Sequence, residues 1–125
     1  MQELIHKKIR LLKSEKEALD NYKSAHGTSF VFLVENAVSI LLNKEDRYHI
    51  VDGYISDLKQ QKLEKKIREL RTNVKEQKVA HTERLQISLT PKTNDALMAF
   101  CSENKYNVSD VVRAAIQSYI EGEIQ

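Results

Sequence analysis

The chain of 125 residues contains no tryptophan, one proline and three glycines. Tight turns depend on glycine and proline, so their scarcity argues against a sheet of many strands and favours helices. A single cysteine, Cys101, excludes an internal disulfide and fits a reducing compartment. Because Cys101 falls within an apolar helical pattern, we interpret it as a small buried hydrophobic residue.

Membrane segments and catalytic motifs are also lacking. No apolar run approaches the ~18 residues of a membrane span, and the N-terminus has no apolar signal core, which predicts a soluble cytoplasmic protein. One cysteine cannot supply a zinc knuckle, and the histidines are scattered, at His6, His26, His49 and His81. Glycine-rich phosphate loops and nucleophile elbows are missing. We therefore predict neither an enzyme nor a bound metal or other cofactor.

The N-terminal segment predicts a strand followed by a helix. In residues 5–11 apolar and polar positions alternate, with Lys7 interrupting the apolar face, as in a short half-buried strand. Ser14 and Glu17 have the spacing of a capping box, so a helix is expected from there to about Ala25.

A second helix is predicted after Gly27, which can adopt the left-handed conformation that ends helices. Apolar residues over 30–42 recur at three- and four-residue intervals. Phe32 and Leu42 make this helix apolar nearly all round, so we expect it to be heavily buried. The β-branched start, 30–34, leaves a strand open as an alternative.

The C-terminal segment repeats this order. Residues 84–89 alternate strictly between polar and apolar, which predicts a strand. Thr90 and Pro91 form a typical helix start, and that helix is expected to run to about Glu103. The cluster that begins at Asn107 is another N-cap, and it precedes a last helix with an apolar face.

An offset of 78 residues superimposes the first strand-helix-helix unit on the second. Apolar positions coincide although few identities do: Ile9 falls on Ile87, Leu11 on Leu89, Phe30 on Val108, Val34 on Val112 and Val38 on Ile116, while Gly27 falls on Lys105 and Ser29 on Asn107. This is an internal repeat. A unit of this size with one lone strand cannot close a core or pair its backbone by itself, so the two units are expected to pair.

Both units resemble the ribbon-helix-helix (Arc/MetJ-like) DNA-binding family, in which two strands pair antiparallel above four helices. The second unit carries the closer resemblance, through its strand, Thr-Pro helix start, Asn-Val-Ser cap and apolar last helix. The resemblance implies a mostly α fold with one two-stranded antiparallel β-ribbon, a tandem ribbon-helix-helix pseudo-dimer. We therefore expect residues 1–43 and 83–125 to be the two units of one pseudo-dimeric domain and residues 44–82 to be a helical linker.

The resemblance also implies double-stranded DNA as the partner, with the ribbon inserted in the major groove. The residues expected to contact bases are His6, Lys8 and Arg10 of the first strand and Arg84, Gln86 and Ser88 of the second. The residues expected to contact phosphates, at the starts of the second helices, are Thr28, Ser29, Asn107 and Ser109. The two strands differ in sequence, which predicts a recognition half-site without palindromic symmetry.

The linker contains a predicted turn at Asp52–Gly53 and a highly charged predicted helix over 57–78. Within that helix, apolar residues at intervals of four, three and four form the seam of a short coiled coil, Leu63, Ile67, Leu70 and Val74. Three interpretations remain open: a connecting helix packed on the core, a homodimer seam that joins two pseudo-dimers, and a solvated spacer. Its excess of lysine and arginine is also compatible with phosphate contacts.

Tandem units occur in accessory proteins of conjugative plasmids, the TraY type, which predicts a relaxosome role with a relaxase or another DNA-processing protein as a further partner. A transcriptional repressor of plasmid or phage genes is the alternative within DNA binding. A helical protein-interaction adaptor is the alternative outside it. An antitoxin is disfavoured, since only residues 121–125 follow the last helix. The net charge of +2 decides none of these, because the position of the charges matters more.

Overall fold

The computed structural model describes residues 3–72, 82–122 and 124. The elements, in chain order, are β1 (Ile5–Leu12), α1 (Lys13–His26), α2 (Phe30–Leu42), α3 (Arg47–Thr72), β2 (Thr82–Leu89), α4 (Pro91–Asn104) and α5 (Val108–Ile120). The prediction of a mostly helical fold with one two-stranded antiparallel sheet is confirmed. No single helix of these residues is both long and apolar enough to cross a membrane.

The sheet has one polar and one apolar face. β1 pairs antiparallel with β2, with Lys8 opposite Gln86 and Ile9 opposite Leu85. Because side chains alternate between the faces of a strand, Ile9 and Ile87 point into the core, where each is 2% exposed or less. Leu11 and Leu89 are buried on the same face.

One hydrophobic core lies beneath the sheet. α2 and α5 pack against each other at its centre, and each also contacts a strand, α2 contacting β2 and α5 contacting β1. The buried apolar side chains of these two helices are Leu33, Val34, Ala37, Val38 and Leu41 of α2 and Val111, Val112, Ala114, Ala115 and Ile116 of α5. Leu19, Leu97 and Phe100 extend the core to α1 and α4.

The start of α1 differs from the prediction. The expected capping box of Ser14 and Glu17 is wrong, because β1 runs directly into α1 and Leu12 occupies the N-cap. The amide nitrogen of Leu12 donates to Oε1 of Glu15 at 2.6 Å, so this first-turn carboxylate does the capping. Ser14 lies inside the helix instead.

The segment after Gly27 is a helix, so the strand alternative is wrong, and α2 has the predicted bounds. The predicted burial on all sides is wrong at its start: Phe32 is 60% exposed and Val31 is 40% exposed. These two residues lie in the first turn, on the side away from Leu33 and Val34, which reach the core.

The predicted turn at Asp52–Gly53 is also wrong, since α3 is one continuous helix from Arg47 to Thr72. Glycine inside a helix costs about 1 kcal/mol relative to alanine. Burial of Val51 and Leu58, with α3 packed against α5, offsets that cost. The interpretation of a connecting helix packed on the core therefore holds for the first half of α3.

The first helix of each unit ends in the same way. Gly27 follows α1 with φ of 59°, and Lys105 follows α4 with φ of 58°. Both are left-handed backbone conformations, which cost a side-chain-bearing residue about 1–2 kcal/mol. Glycine avoids this cost, and it occupies position 27 but not position 105.

A buried ion pair joins α1 to α5. Arg113 is 6% exposed, and its guanidinium donates to both carboxylate oxygens of Glu15, at 2.8 Å and 3.1 Å. Its third nitrogen lies 3.3 Å from Asp110 of the same helix, and the guanidinium stacks over the ring of Tyr54 of α3, 5.1 Å from the centroid. Arg113 of α5 thus contacts both α1 and α3.

A second polar contact, half-buried, joins α2 to the start of α4. The carboxylate of Glu35 accepts from the amide nitrogen of Thr90 at 2.9 Å and from the hydroxyls of Thr90 and Thr93 at 3.1 Å and 2.6 Å. Each junction between a strand and the next helix therefore has its backbone amide bound by a carboxylate, Glu15 at Leu12 and Glu35 at Thr90.

We predict opposite effects of substitutions at the two left-handed positions. Lys105→Gly should raise the free energy of unfolding by about 1 kcal/mol, because glycine removes the backbone strain. Gly27→Ala should lower it by about 1 kcal/mol through the backbone alone, since a Cβ at Gly27 would meet no atom within 4 Å. Urea denaturation of each variant measures both changes. A loss of stability in Lys105→Gly would contradict the assignment of strain.

We predict that Arg113→Met lowers the free energy of unfolding by about 3–5 kcal/mol, because it leaves the Glu15 carboxylate buried without its counter-charge. The double variant Glu15→Gln/Arg113→Met should recover most of that loss, since Gln still accepts from the Leu12 amide and no buried charge remains. Thermal and urea unfolding compare the two variants.

The matched control is the exposed i, i+4 pair of Lys16 and Asp20, at 2.9 Å. Lys16→Met should change the free energy of unfolding by less than about 1 kcal/mol. If Glu15→Gln/Arg113→Met is no more stable than Arg113→Met, the loss of stability does not come from an uncompensated charge on Glu15.

Candidate nucleic-acid interface

The polar face of the two-stranded sheet carries all six residues that the sequence predicts to contact bases. Antiparallel register places His6 opposite Ser88, Lys8 opposite Gln86 and Arg10 opposite Arg84. Directly opposed residues project from the same face of a sheet, so the six side chains form one continuous surface. We call this surface the polar ribbon face.

Five of the six side chains are exposed, and the sixth is not. His6, Lys8, Arg10, Arg84 and Gln86 are open to solvent. Ser88 is 8% exposed, and its hydroxyl is hydrogen-bonded to Nδ1 of His6 at 2.8 Å. The predicted base contact of Ser88 therefore requires that His6 move, and Ser88 in its present position orients His6.

The polar ribbon face is positively charged and has no acidic member. In the described part of the chain, Lys8, Arg10 and Arg84 form no salt bridge. Arg10 and Arg84 stand directly opposite each other, an arrangement of like charges that destabilises a sheet. With Lys8 they border a depression of about 290 Å³ on the edge of the sheet. The arrangement suits an anion in contact with both guanidinium groups.

The start of α5 lies against the outer edge of β1. Asn107 is the N-cap, and its side-chain oxygen accepts from the amide of Ser109 at 2.9 Å. The hydroxyl of Ser109 in turn accepts from the backbone amide of Arg10 at 3.3 Å. Two of the four predicted phosphate-contacting residues are thus placed beside the polar ribbon face by direct hydrogen bonds.

The start of α2 holds the other two predicted phosphate-contacting residues. Ser29 is the N-cap, and its hydroxyl accepts from the amide of Phe32 at 3.1 Å. The hydroxyl of Thr28 donates to the carbonyl of Ser29 at 3.5 Å. Unlike the start of α5, with Asp110, the first turn of α2 has no acidic residue.

Sequence reasoning missed three charged residues that hold this interface in place, Glu15, Glu35 and Arg113. A signal for two of them was present, because Glu35 and Arg113 each place a charge in a helix that is rich in apolar residues. A charged residue in such a helix is rarely buried without a partner. The identity of the partner depends on tertiary packing.

A second group that sequence reasoning did not single out lies on α3. Gln61 and Lys62 line a groove of about 380 Å³ together with Arg10 of β1 and the first turn of α5. The coiled-coil spacing had drawn attention to the apolar positions of this helix instead. Of those, Leu63 is 53% exposed and Ile67 is 41% exposed, Leu70 falls within α3, and Val74 lies outside the described residues.

The cysteine and the metal-ligating side chains of the described residues give no second candidate site. Cys101 is 4% exposed, as interpreted from the sequence, and burial raises the pKa of its thiol to about 11. A thiol with that pKa is almost wholly protonated at neutral pH and is therefore a poor nucleophile. Within the described ranges, no group of three histidine, cysteine or acidic side chains is placed to hold a metal ion.

Comparison of the chain with protein-family models, with curated proteins and with solved structures gives no match. The geometry of the polar ribbon face and of the helix starts beside it is therefore the basis for the function proposed below.

Proposed function

We propose that this protein binds double-stranded DNA sequence-specifically by inserting the polar ribbon face into the major groove. The observation that carries the proposal is the opposition of Arg10 and Arg84 on an exposed face without a carboxylate. Two like charges at directly opposed positions lower the stability of a sheet. A polyanion in contact with both removes the repulsion, so the arrangement favours a charged partner of opposite sign.

The dimensions and the donors of the face also suit the major groove. That groove admits a two-stranded ribbon, and its base edges display donor and acceptor patterns that differ for each base pair. Arg10 and Arg84 can donate to guanine O6 and N7, and Gln86 can pair with adenine through one donor and one acceptor. Lys8 and Gln86 lie opposite each other, so bases of different kinds are favoured on the two sides of this pair.

We further propose that the two strand-helix-helix units form a tandem pseudo-dimer of the ribbon-helix-helix kind. The corresponding elements have equal lengths: β1 and β2 have 8 residues, α1 and α4 have 14, and α2 and α5 have 13. The helix caps correspond under the 78-residue offset, Gly27 with Lys105 and Ser29 with Asn107. Lys8 and Gln86 correspond under the same offset and are also partners, as expected of residues beside a two-fold axis.

The carboxylates of Glu15 and Glu35 support pairing between unlike units. Under the offset, Glu35 corresponds to Arg113 and Glu15 corresponds to Thr93. The first unit paired with a copy of itself would therefore bring the buried Glu15 against the half-buried Glu35, two carboxylates without a counter-charge. Pairing with the second unit replaces these contacts by Glu15–Arg113 and Glu35–Thr93. The charge pattern thus favours one composite DNA-binding face made from two different strands.

The starts of α2 and α5 are proposed to bind the DNA backbone on either side of the ribbon. Backbone amides and the positive end of the helix dipole favour phosphate there. Thr28 and Ser29 would bind it on one side and Asn107 and Ser109 on the other. Such contacts fix the register of the ribbon on the duplex and carry no sequence information themselves.

The biological role that we favour is that of an accessory protein in plasmid conjugation, which binds DNA within a relaxosome beside a relaxase or another DNA-processing protein. The tandem order of the units supports it, since the resemblance to TraY-type proteins rests on that order. A transcriptional repressor of plasmid or phage genes would use the same polar ribbon face. The genes that neighbour its own would distinguish the two roles.

We predict that selection from randomised duplex pools yields a preferred sequence for the wild-type chain and that Arg84→Ala/Gln86→Ala abolishes the preference. Each base contact of this kind contributes about 1–3 kcal/mol of discrimination, so the double variant should lose affinity for the selected duplex by roughly 10²-fold or more. Anisotropy titrations at two salt concentrations should show weaker binding at the higher salt, because phosphate contacts release counterions. The selected half-sites should lack two-fold symmetry.

Lys44→Gln is the matched control, because it removes one positive charge in the connection between α2 and α3. It should retain the sequence preference. Equal retention by Arg84→Ala/Gln86→Ala, with both variants folded by circular dichroism, would rule out the polar ribbon face as the DNA-reading surface. A perfectly palindromic consensus would contradict a composite face within one chain.

A homodimer through the exposed seam of α3 is a second proposal, and the same seam would serve an interaction adaptor. The exposure of Leu63 and Ile67 favours it, because large apolar side chains at coiled-coil spacing are stabilised by burial against a partner helix. Two such chains would bring two polar ribbon faces to adjacent DNA sites.

We predict that Leu63→Lys/Ile67→Lys converts a dimer of the wild-type chain into a monomer in sedimentation experiments. Lysine at these positions removes the apolar contact and places like charges in the seam. Both side chains are exposed in the single chain, so the variant should keep the unfolding temperature of the isolated fold. An unchanged mass would exclude the seam as a dimer interface.

A further inference from the structure

The charge of α3 changes where the helix leaves the core. Residues 47–58 contain one basic and two acidic residues, whereas residues 59–72 contain six basic and two acidic residues. The exposure of the side chains changes at the same point. Leu58 is 7% exposed, and the side chains described after it, at 59–64 and 67, are all exposed. The basic half of α3, residues 59–72, is about 20 Å long at 1.5 Å per residue. Its described side chains, those at 59–64 and 67, project from the core, and we call it the projecting half.

The projecting half begins beside the polar ribbon face. Lys62 and Gln61 form one wall of a groove of about 380 Å³, and Arg10 of β1 borders the same groove. The amide of Arg10 donates to the hydroxyl of Ser109, which also lines the groove, at 3.3 Å. Two exposed cations from different elements, Arg10 and Lys62, thus line it.

The groove also contains one acidic residue, Asp110. Its carboxylate lies 3.3 Å from the guanidinium of Arg113. Arg113 in turn is bound by Glu15 and is 6% exposed, so it is not free to bind a ligand. Glu15, Asp110 and Arg113 together carry one net negative charge. Arg10 and Lys62 add two positive charges, so the groups around the groove remain net positive.

We infer that α3 is part of the DNA-binding surface and that its basic half binds backbone phosphates on the β1 side of the ribbon, beginning at Lys62. The inference rests on the proposed DNA-binding function and extends it: the duplex is contacted over a longer stretch on one side than on the other. The cause is the packing of α3 on α5, whose first turn lies beside β1. α2 contacts the other strand, β2, and on that side Thr28 and Ser29 are the expected phosphate ligands.

Phosphate contacts on one side only fix the orientation of the protein on its DNA site. Because the β1 side binds additional phosphates, the protein is held on its site in one orientation even where the bases read by β1 and β2 are similar. A phosphate contact of this kind adds affinity for duplexes of any sequence. Specificity for bases remains with the polar ribbon face, so the two contributions can be separated experimentally.

The test uses the full chain with Lys62→Gln and, as its control, Lys44→Gln. Both variants lose one positive charge, but Lys44 follows the C-terminal end of α2, about 20 Å along the helix from its DNA-proximal first turn. Binding to the duplex selected by the wild-type chain is measured by anisotropy over a range of salt concentrations. Ethylation interference on the same duplex identifies the phosphates that each protein needs.

We expect Lys62→Gln to weaken binding by roughly 3–10-fold at low salt and to reduce the slope of log K against log salt by about one, with an unchanged consensus sequence. Ethylation should interfere over a longer stretch on one flank, and Lys62→Gln should lose interference on that flank alone. Lys44→Gln should match the wild type. Equal behaviour of the two variants, or interference of equal length on both flanks, would overturn the inference while leaving the proposed function intact.

Suppose that Arg84→Ala/Gln86→Ala loses selective binding while Lys62→Gln binds as tightly as Lys44→Gln. The proposed function would then stand, and α3 would not contact the DNA. Failure of the wild-type chain to bind any duplex would overturn both proposals together.

Discussion

The pairing of β1 with β2 is the contact on which the other contacts of the fold depend. Either strand alone would leave its backbone donors and acceptors unpaired and one apolar face uncovered. Pairing satisfies the backbone and brings Ile9 and Ile87 together above the core. The same register decides the chemistry of the other face, because side chains alternate strictly along each strand. A shift by one residue would turn Lys8 and Arg84 inward and expose the apolar residues, so core packing and the exposed charges are specified together.

Two carboxylates, the buried Glu15 and the half-buried Glu35, connect that pairing to the helices. Glu15 binds the amide of Leu12 at the end of β1 and the guanidinium of Arg113 on α5. Glu35 of α2 binds the amide and hydroxyl of Thr90 after β2. In each case a residue of one half of the chain contacts the other half close to the end of a strand. Buried charges of this kind contribute little net stability beside apolar replacements, but they penalise arrangements that leave them unpaired. In the proposed pseudo-dimer they therefore favour the pairing of unlike halves.

The periodicity of apolar residues predicted the helices and strands that bury one face along their whole length. It failed at helix ends and turns that are determined by tertiary contacts. The alternation of 84–89 and the spacing of apolar residues in α2 and α5 gave correct elements, because one face of each meets the core. Asp52–Gly53 resembles a turn, yet packing of Val51 and Leu58 keeps α3 helical through it. Ser14 resembles a cap, but β1 continues to Leu12 and Glu15 takes that role. The six residues of the polar ribbon face could be named from alternation. The hydrogen bond of Ser88 to His6 and the position of Lys62 in the same groove as Arg10 could not be predicted. Both depend on side chains that are distant in the sequence.

The central claim is that one composite face, made from both strands, meets DNA. Titration of the isotopically labelled full chain with its selected duplex, followed by amide chemical shifts in NMR spectra, tests it most directly. We expect the largest shifts at Lys8, Arg10, Arg84 and Gln86, with further shifts in the first turns of α2 and α5. Shifts confined to the exposed face of α3, with both strands unaffected, would contradict it.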